Sequence, residues 1–81
     1  MFYVYVIKCS DGSLYTGYTN NLKKRLKMHN DGKASKYTRS RRPVRLLVKW
    51  SFKSKSEAMR HEIEFKSLTR KSKMKEIAKQ L

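Results

Sequence analysis

The chain has 81 residues, of which 21 are Lys or Arg and 6 are Asp or Glu, so its formal net charge is +15. A chain of this length buries only about 60–65% of its unfolded surface, which excludes a deep enclosed pocket and leaves residues 1–81 as one domain with a shallow surface site. The charge exceeds what solubility needs and draws in a polyanion, so nucleic acid is the expected partner. A membrane is set aside: the basic residues are spread over every segment, and no apolar run approaches about 18 residues. Cys9 is the one cysteine, which excludes an internal disulfide and a cysteine zinc site. The chain opens directly into an alternating strand, and a cytoplasmic monomer is expected. Ribosomal and nucleoid proteins share this composition.

Phe2 to Lys8 is dense in β-branched and aromatic residues with apolar groups at both parities, which predicts a central strand covered on both faces. Asp11-Gly12 turns the chain into a second strand, Leu14-Tyr15-Thr16-Gly17-Tyr18-Thr19, whose alternation puts the Tyr15 phenol and the gap at Gly17 on one face. A two-residue loop would set Tyr5 and Tyr15 on opposite faces. A three-residue loop, Ser10-Asp11-Gly12 with Gly12 left-handed, sets Ile7 against Tyr15 and Tyr5 against Gly17. The longer loop is expected, because it gives the missing side chain at Gly17 a use. Read by themselves, both tyrosines could equally be ordinary strand aromatics.

From Asn20 the period becomes helical, with Leu22 and Leu26 four apart, Asn20 or Asn21 as cap and Asn30-Asp31-Gly32 as stop. At about 100° per residue, Arg25 and His29 fall within roughly 60° of Leu22, at the border of the buried face. Lys33 to Arg42 is polar and cationic without a helical stripe, which predicts a loop. Within it Lys36, Arg39, Arg41 and Arg42, together with Arg45, are candidate phosphate contacts, and Tyr37 is a candidate platform for an unpaired base. A merely solvated basic loop has the same composition.

Arg45 to Phe52 predicts a third strand with Leu46, Val48, Trp50 and Phe52 on one face, Trp50 being core. Ser54-Lys55-Ser56-Glu57 has the spacing of a capping box, so a helix should run from there to about Leu68. On its wheel Glu62 sits at about 40° from Ala58, between Phe65 on one side and Met59 and Ile63 on the other. A carboxylate in the middle of that face needs a cation, either an arginine such as Arg25 or a metal ion. His61 is read as an edge-of-core histidine, since no second histidine or cysteine has metal-site spacing with it. A last helix should pack on the sheet through Met74, Ile77, Ala78 and Leu81.

The ordered set Tyr3-Val4-Tyr5, Tyr15-Thr16-Gly17, Arg25 ten residues after Tyr15, His29 one turn later and a helical Glu62 resembles the GIY-YIG nuclease superfamily, above all its small stand-alone bacterial members. The resemblance covers nearly the whole chain. It implies an α+β fold, a three-stranded antiparallel sheet flanked by helices, that cuts phosphodiesters with one divalent metal, Mg²⁺ or Mn²⁺. In family terms Tyr5 ends the first motif, Tyr15 opens the second, Arg25 is the helix arginine, His29 holds a His-or-Tyr position, and Glu62 is the metal ligand. The sequence departs from the pattern at Tyr3, Val4 and Thr16, has Tyr18 where some members carry lysine, and shows no match to a late asparagine.

Two function classes follow. One is a metal-dependent endonuclease acting on DNA, with RNA as the second choice, structure-selective or weakly sequence-selective; the other is a non-catalytic nucleic-acid-binding protein of the same fold. An unperturbed tyrosine is only about one part in a thousand ionised at pH 7, so a tyrosine base needs nearby cations. Tyr15 is the expected base and Tyr5 the positioning group. His29 is a proton relay or alternative base, and Arg25 offsets charge on the phosphoryl oxygens. The set, with Glu62, is expected to converge on one side of the sheet.

Overall fold

In the computed structural model, which describes residues 1–81, the first β-branched run forms the central strand β1 (Phe2–Lys8). Val4, Tyr5, Val6 and Ile7 are each at most 1% exposed, so both faces of β1 are covered, as apolar groups at both parities require. Strands β2 (Leu14–Thr19) and β3 (Arg45–Phe52) pair with it antiparallel in the order β2-β1-β3. Helices α1 (Leu22–Asn30), α2 (Lys36–Arg39), α3 (Lys55–Lys66) and α4 (Arg70–Gln80) complete the expected α+β arrangement.

The β1–β2 hairpin sets the geometry of everything near the tyrosines. Cys9 N–H donates to the Ser13 carbonyl at 2.8 Å, leaving Ser10-Asp11-Gly12 as the loop, with Gly12 at φ 84°. The Asp11 carboxylate accepts from Ser13 N and Oγ at 3.0 and 2.6 Å, an Asx-type closure that tightens the turn. The resulting register pairs Tyr5 with Gly17 and Ile7 with Tyr15, the outcome of the three-residue loop. A Cβ on Gly17 would stand 2.6 Å from the Tyr5 hydroxyl oxygen and 2.8 Å from Cζ. Glycine is required here by space, because the Tyr5 ring lies directly over the β2 backbone.

One face of the sheet gathers Tyr5, Ile7, Cys9 and Val44, with Tyr15, Leu22, Leu26 and Leu46 packed against them. The other gathers Val6, Val48, Phe65 and Ile77, with Leu14, Leu47, Trp50 and Leu68. Leu46 therefore does not share a face with Val48 and Trp50 as the alternation predicted. Val48 pairs with Val6 but Leu46 pairs with Ile7, so Leu47 is an extra residue in β3 and the strand changes face at this bulge.

The helices keep the expected caps at Asn21 and Ser54 and depart from expectation elsewhere. The Asn21 side chain caps α1, accepting from Lys24 N–H at 3.1 Å. The stretch expected to be a loop contains α2, capped by Ser35, whose Oγ accepts from Tyr37 N–H at 3.1 Å. Four helical residues bury only Thr38, too few to write a stripe into the sequence. In α3 the Ser54 hydroxyl accepts from Glu57 N–H at 3.2 Å. Met59 and Ile63 are 38% and 66% exposed, so the buried stripe is Ala58 and Phe65, and Glu62 stands at its rim instead of its middle. In α4 only Ile77 is buried, while Met74 and Leu81 face solvent.

Trp50 is half-buried core as expected, and His61 packs its ring centroid 4.7 Å from that of Trp50 and 5.2 Å from that of Phe52. Its Nε2 is buried without a hydrogen-bond partner. Burial holds the His61 imidazole below the usual histidine range, with Glu64 and Glu76 partly opposing. His29, 1% exposed, is lowered as well, first by burial and then by the Arg25 charge.

Two outcomes are expected. Gly17→Ala should destabilise the fold by about 1–3 kcal/mol, the usual range for overpacking, with partial rescue when combined with Tyr5→Phe; a wild-type urea midpoint for Gly17→Ala would show that the space is not needed. Because both histidines have folded pKa values below their unfolded value near 6.5, the unfolded chain binds more protons. The stability they contribute is thus present above about pH 6.5 and lost as pH falls through that value toward the folded pKa. Urea midpoints at pH 8 and pH 5.5 should show this loss, and His61→Phe should reduce it. Equal midpoints for the wild type would remove the account.

Candidate active site

A groove of about 360 Å³ is lined by Tyr5, Tyr15 and Gly17 from the sheet, Arg25 from α1, and Lys55 and Glu62 from α3. Tyr5 and Tyr15 share the α1 face, since Ile7, which shares the parity of Tyr5, is the register partner of Tyr15. Glu62 does not come from that layer. Its helix packs through Phe65 on the opposite face, so the groove lies at the border of the sheet where the two layers meet. The expectation of a site on one side of the sheet is corrected to a site assembled from both.

The two tyrosines occupy different environments. Tyr5 is 1% exposed, and its hydroxyl is hydrogen-bonded to His29 Nε2 at 2.8 Å. Burial, then the neighbouring Tyr15, push its pKa upward against the opposing pull of Arg25, so Tyr5 stays a neutral phenol at physiological pH. Tyr15 is half-buried and meets the His29 ring edge-on at a centroid distance of 5.1 Å. It also stacks on Tyr37, with centroids 6.1 Å apart and planes inclined by 28°.

His29 is not at the border of the buried face, and it does not line the groove. It lies behind Tyr5, and its Nδ1 is hydrogen-bonded to Thr38 Oγ1 at 2.8 Å. The correction arises because α2 closes over the side of α1 that would otherwise face water. An imidazole there meets the groove through the Tyr5 hydroxyl.

Glu62 is also partnered differently than expected. Its Oε2 pairs with Lys66 Nζ at 3.2 Å one turn along α3, and no ion pair joins it to Arg25. The lysine is half-exposed while the carboxylate is 15% exposed. Its second oxygen takes no hydrogen bond or ion pair from the protein. No three His, Cys, Asp or Glu side chains cluster anywhere in the chain as a metal cage.

The basic segment divides into tied and free cations. Arg41 pairs with Asp11 at 3.1 Å, donates to the Tyr37 carbonyl at 2.8 Å and lies 4.0 Å from the Tyr37 ring centroid. Arg42 donates to the Arg39 and Asn30 carbonyls at 2.8 and 3.3 Å. Both arginines, expected as phosphate contacts, are tied into this segment by these bonds. Tyr37 is 39% exposed and is engaged by the Tyr15 ring and the Arg41 guanidinium. Lys36, Arg39 and Arg45 are exposed and their side chains make no hydrogen bond or ion pair within the protein.

Three residues join this picture that pattern reading did not single out. Lys55 lies seven residues before Glu62, about −20° away on the wheel, so its place in the groove was legible. Asn30 pairs its side chain with the backbone of Val44, accepting from N–H at 2.8 Å and donating to the carbonyl at 3.1 Å; it had been read only as part of a helix stop. Thr38, 0% exposed, carried no signal.

The family model for the GIY-YIG catalytic domain matches residues 1–76. A UPF0213 protein of Staphylococcus haemolyticus is 56% identical over 75 residues, covering 93% of this chain and 92% of that one. The UPF0213 protein YazA of Bacillus subtilis is 59% identical over 71 residues, covering 88% and 72%. Among solved structures, the solution NMR structure of a UPF0213 protein from Bacillus halodurans superposes with a TM-score of 0.64 at 51% identity, covering 96% of this chain and 84% of that one. The chain therefore belongs to the GIY-YIG catalytic domain family, alongside the small bacterial UPF0213 proteins.

Proposed function

We propose that the protein is a metal-dependent nuclease that hydrolyses phosphodiester bonds in DNA, as a structure-selective or weakly sequence-selective endonuclease. The observation that carries this reading is the meeting of Tyr15, Tyr5, Arg25 and Glu62 in one groove on a chain of net charge +15. Glu62 is the group that would hold the ion. A single carboxylate with one unpartnered oxygen and no clustered second ligand suits a hard cation that keeps most of its waters, Mg²⁺ or Mn²⁺. Such an ion, when bound, supplies positive charge to the phosphate and to the leaving oxygen.

The side chains of the groove account for the remaining work. Tyr15, the less buried of the two phenols, acts as its phenolate, taking the proton of the attacking water and becoming the neutral phenol as hydroxide adds to phosphorus. Tyr5, held neutral by burial, orients neighbouring groups by hydrogen bonding. Arg25 offsets charge that develops on the phosphoryl oxygens. Lys55, two turns along α3 from Glu62, engages a phosphate beside the scissile one, and the free cations Lys36, Arg39 and Arg45 add electrostatic attraction for the polyanion.

A second reading, a non-catalytic nucleic-acid-binding protein, is favoured by one observation: Lys66 already neutralises Glu62. Nicking of supercoiled plasmid with Mg²⁺ or Mn²⁺, run beside identically purified Glu62→Gln, separates the two. Metal-dependent nicking that disappears in the variant supports the nuclease; binding without nicking supports the second reading.

Under single-turnover conditions at matched DNA occupancy, Tyr15→Phe should slow cleavage by about 10² or more. Arg25→Ala should lose about 3–4 kcal/mol of transition-state stabilisation. Since His29 meets the groove through Tyr5, His29→Ala should match the smaller effect of Tyr5→Phe. Wild-type cleavage by Tyr15→Phe would sink the assignment of the base. In binding, Arg39→Ala and Arg45→Ala should each flatten the salt dependence by about 0.9 in log–log slope if each neutralises one duplex phosphate. Arg41→Ala should instead lower the melting temperature, and the reverse pattern would return Arg41 to the phosphate-contact role.

A further inference from the structure

Tyr5, His29 and Thr38 form a buried polar chain, each at most 1% exposed, that runs from the groove to the short helix α2. The Tyr5 hydroxyl and His29 Nε2 are 2.8 Å apart, His29 Nδ1 and Thr38 Oγ1 are 2.8 Å apart, and Thr38 Oγ1 is 3.4 Å from the Ser35 carbonyl. Buried donors must find acceptors, so the direction of the chain follows from counting protons.

With the imidazole proton on Nδ1, every proton has an acceptor. Tyr5 O–H donates to Nε2, Nδ1–H donates to Thr38 Oγ1, and Thr38 O–H donates to the Ser35 carbonyl, the N-cap residue of α2. With the proton on Nε2, Thr38 donates to Nδ1 and Nε2–H donates to Tyr5. The Tyr5 proton then has no acceptor within the protein, because His29 Nε2 is the one acceptor the protein gives that hydroxyl and Arg25 beside it can only donate. The doubly protonated form leaves the same proton stranded.

We infer that Thr38 is a positioning residue: by accepting from His29 Nδ1 it fixes the imidazole tautomer that takes the Tyr5 proton inward. The lone pairs of Tyr5 are thereby presented toward the groove. There the neighbouring charged donor is Arg25, which can only donate, so the chain fixes the polarity of the contact that orients the guanidinium. The tautomer assignment stands on the hydrogen-bond geometry alone; its consequence for turnover rests on the nuclease reading above.

The test uses the full chain and two readouts. Long-range ¹H–¹⁵N correlation spectra of the imidazoles at pH 7.5 should show His29 with a protonated Nδ1 and a pyridine-type Nε2. Thr38→Val, which keeps shape but removes the acceptor, should change that pattern, and Thr38→Ser should restore it. In the nicking assay Thr38→Val should lower kcat about tenfold with little change in KM, and Thr38→Ser should recover most of it. A wild-type His29 protonated on Nε2 overturns the inference even if Thr38→Val does not fold, and so does a folded Thr38→Val with an unaltered spectrum. If no variant or wild type cuts DNA while the spectra behave as expected, the nuclease reading fails and the tautomer assignment survives.

Discussion

The Tyr5 ring lies against the bare backbone of Gly17, and much of the molecule is arranged around that contact. It needs the pairing of residue 5 with residue 17, which in turn needs a three-residue loop with a left-handed glycine at its end. Once the ring is down on the strand, its hydroxyl is carried to the side of α1 that presents His29. The half-buried phenol of Tyr15 is left as the neighbour nearer to solvent. Two tyrosines from adjacent strands thus acquire unlike chemistry, one dry and neutral, the other bordering water, from a single absent side chain.

The second constraint is charge. Four ion pairs engage four of the six acidic residues, which leaves most of the cations facing like charge on a domain whose radius of gyration is 12.0 Å. Self-repulsion of this kind opposes the compact state. With only 15 of 81 residues buried, the core has little with which to oppose it. Binding a polyanion would relieve the repulsion and stabilise the fold by mass action, so partner and stability are linked through the same surface.

What could be read from the sequence, and what could not, divides along physical lines. The central strand, the hairpin register, the Ser54 cap and the proximity of Tyr5 to Gly17 are local or nearly local, and alternation, turn chemistry and capping all write such features into neighbouring residues. The groove residues Tyr15, Arg25 and Glu62 were nominated by spacing together with the family resemblance, and the structure brings them together. Two of the misses involve contacts between distant segments. His29 is buried because α2 covers it, and α2 is too short to announce itself. Arg41 looked free until its partner Asp11, 30 residues earlier, was in view. For Glu62 the expected partner was an arginine such as Arg25 or a metal ion, and the local pairing with a lysine one turn away on its own helix was overlooked. The face of Leu46 was lost to a bulge, which leaves no periodic trace because it breaks the period.

That bulge has a consequence for how the sheet assembles. A regular strand can slide past its neighbour by two residues and still keep its apolar side inward. β3 cannot, because Leu46 belongs to one core and Leu47 and Val48 to the other. A shift of the strand would carry the change of face away from the junction of Val6 and Ile7, where β1 offers it a matching pair of residues. The irregularity acts as a key in a slot: the third strand has one alignment that satisfies both layers. In a domain so small and so heavily charged, that uniqueness is secured by one extra leucine instead of by a larger core.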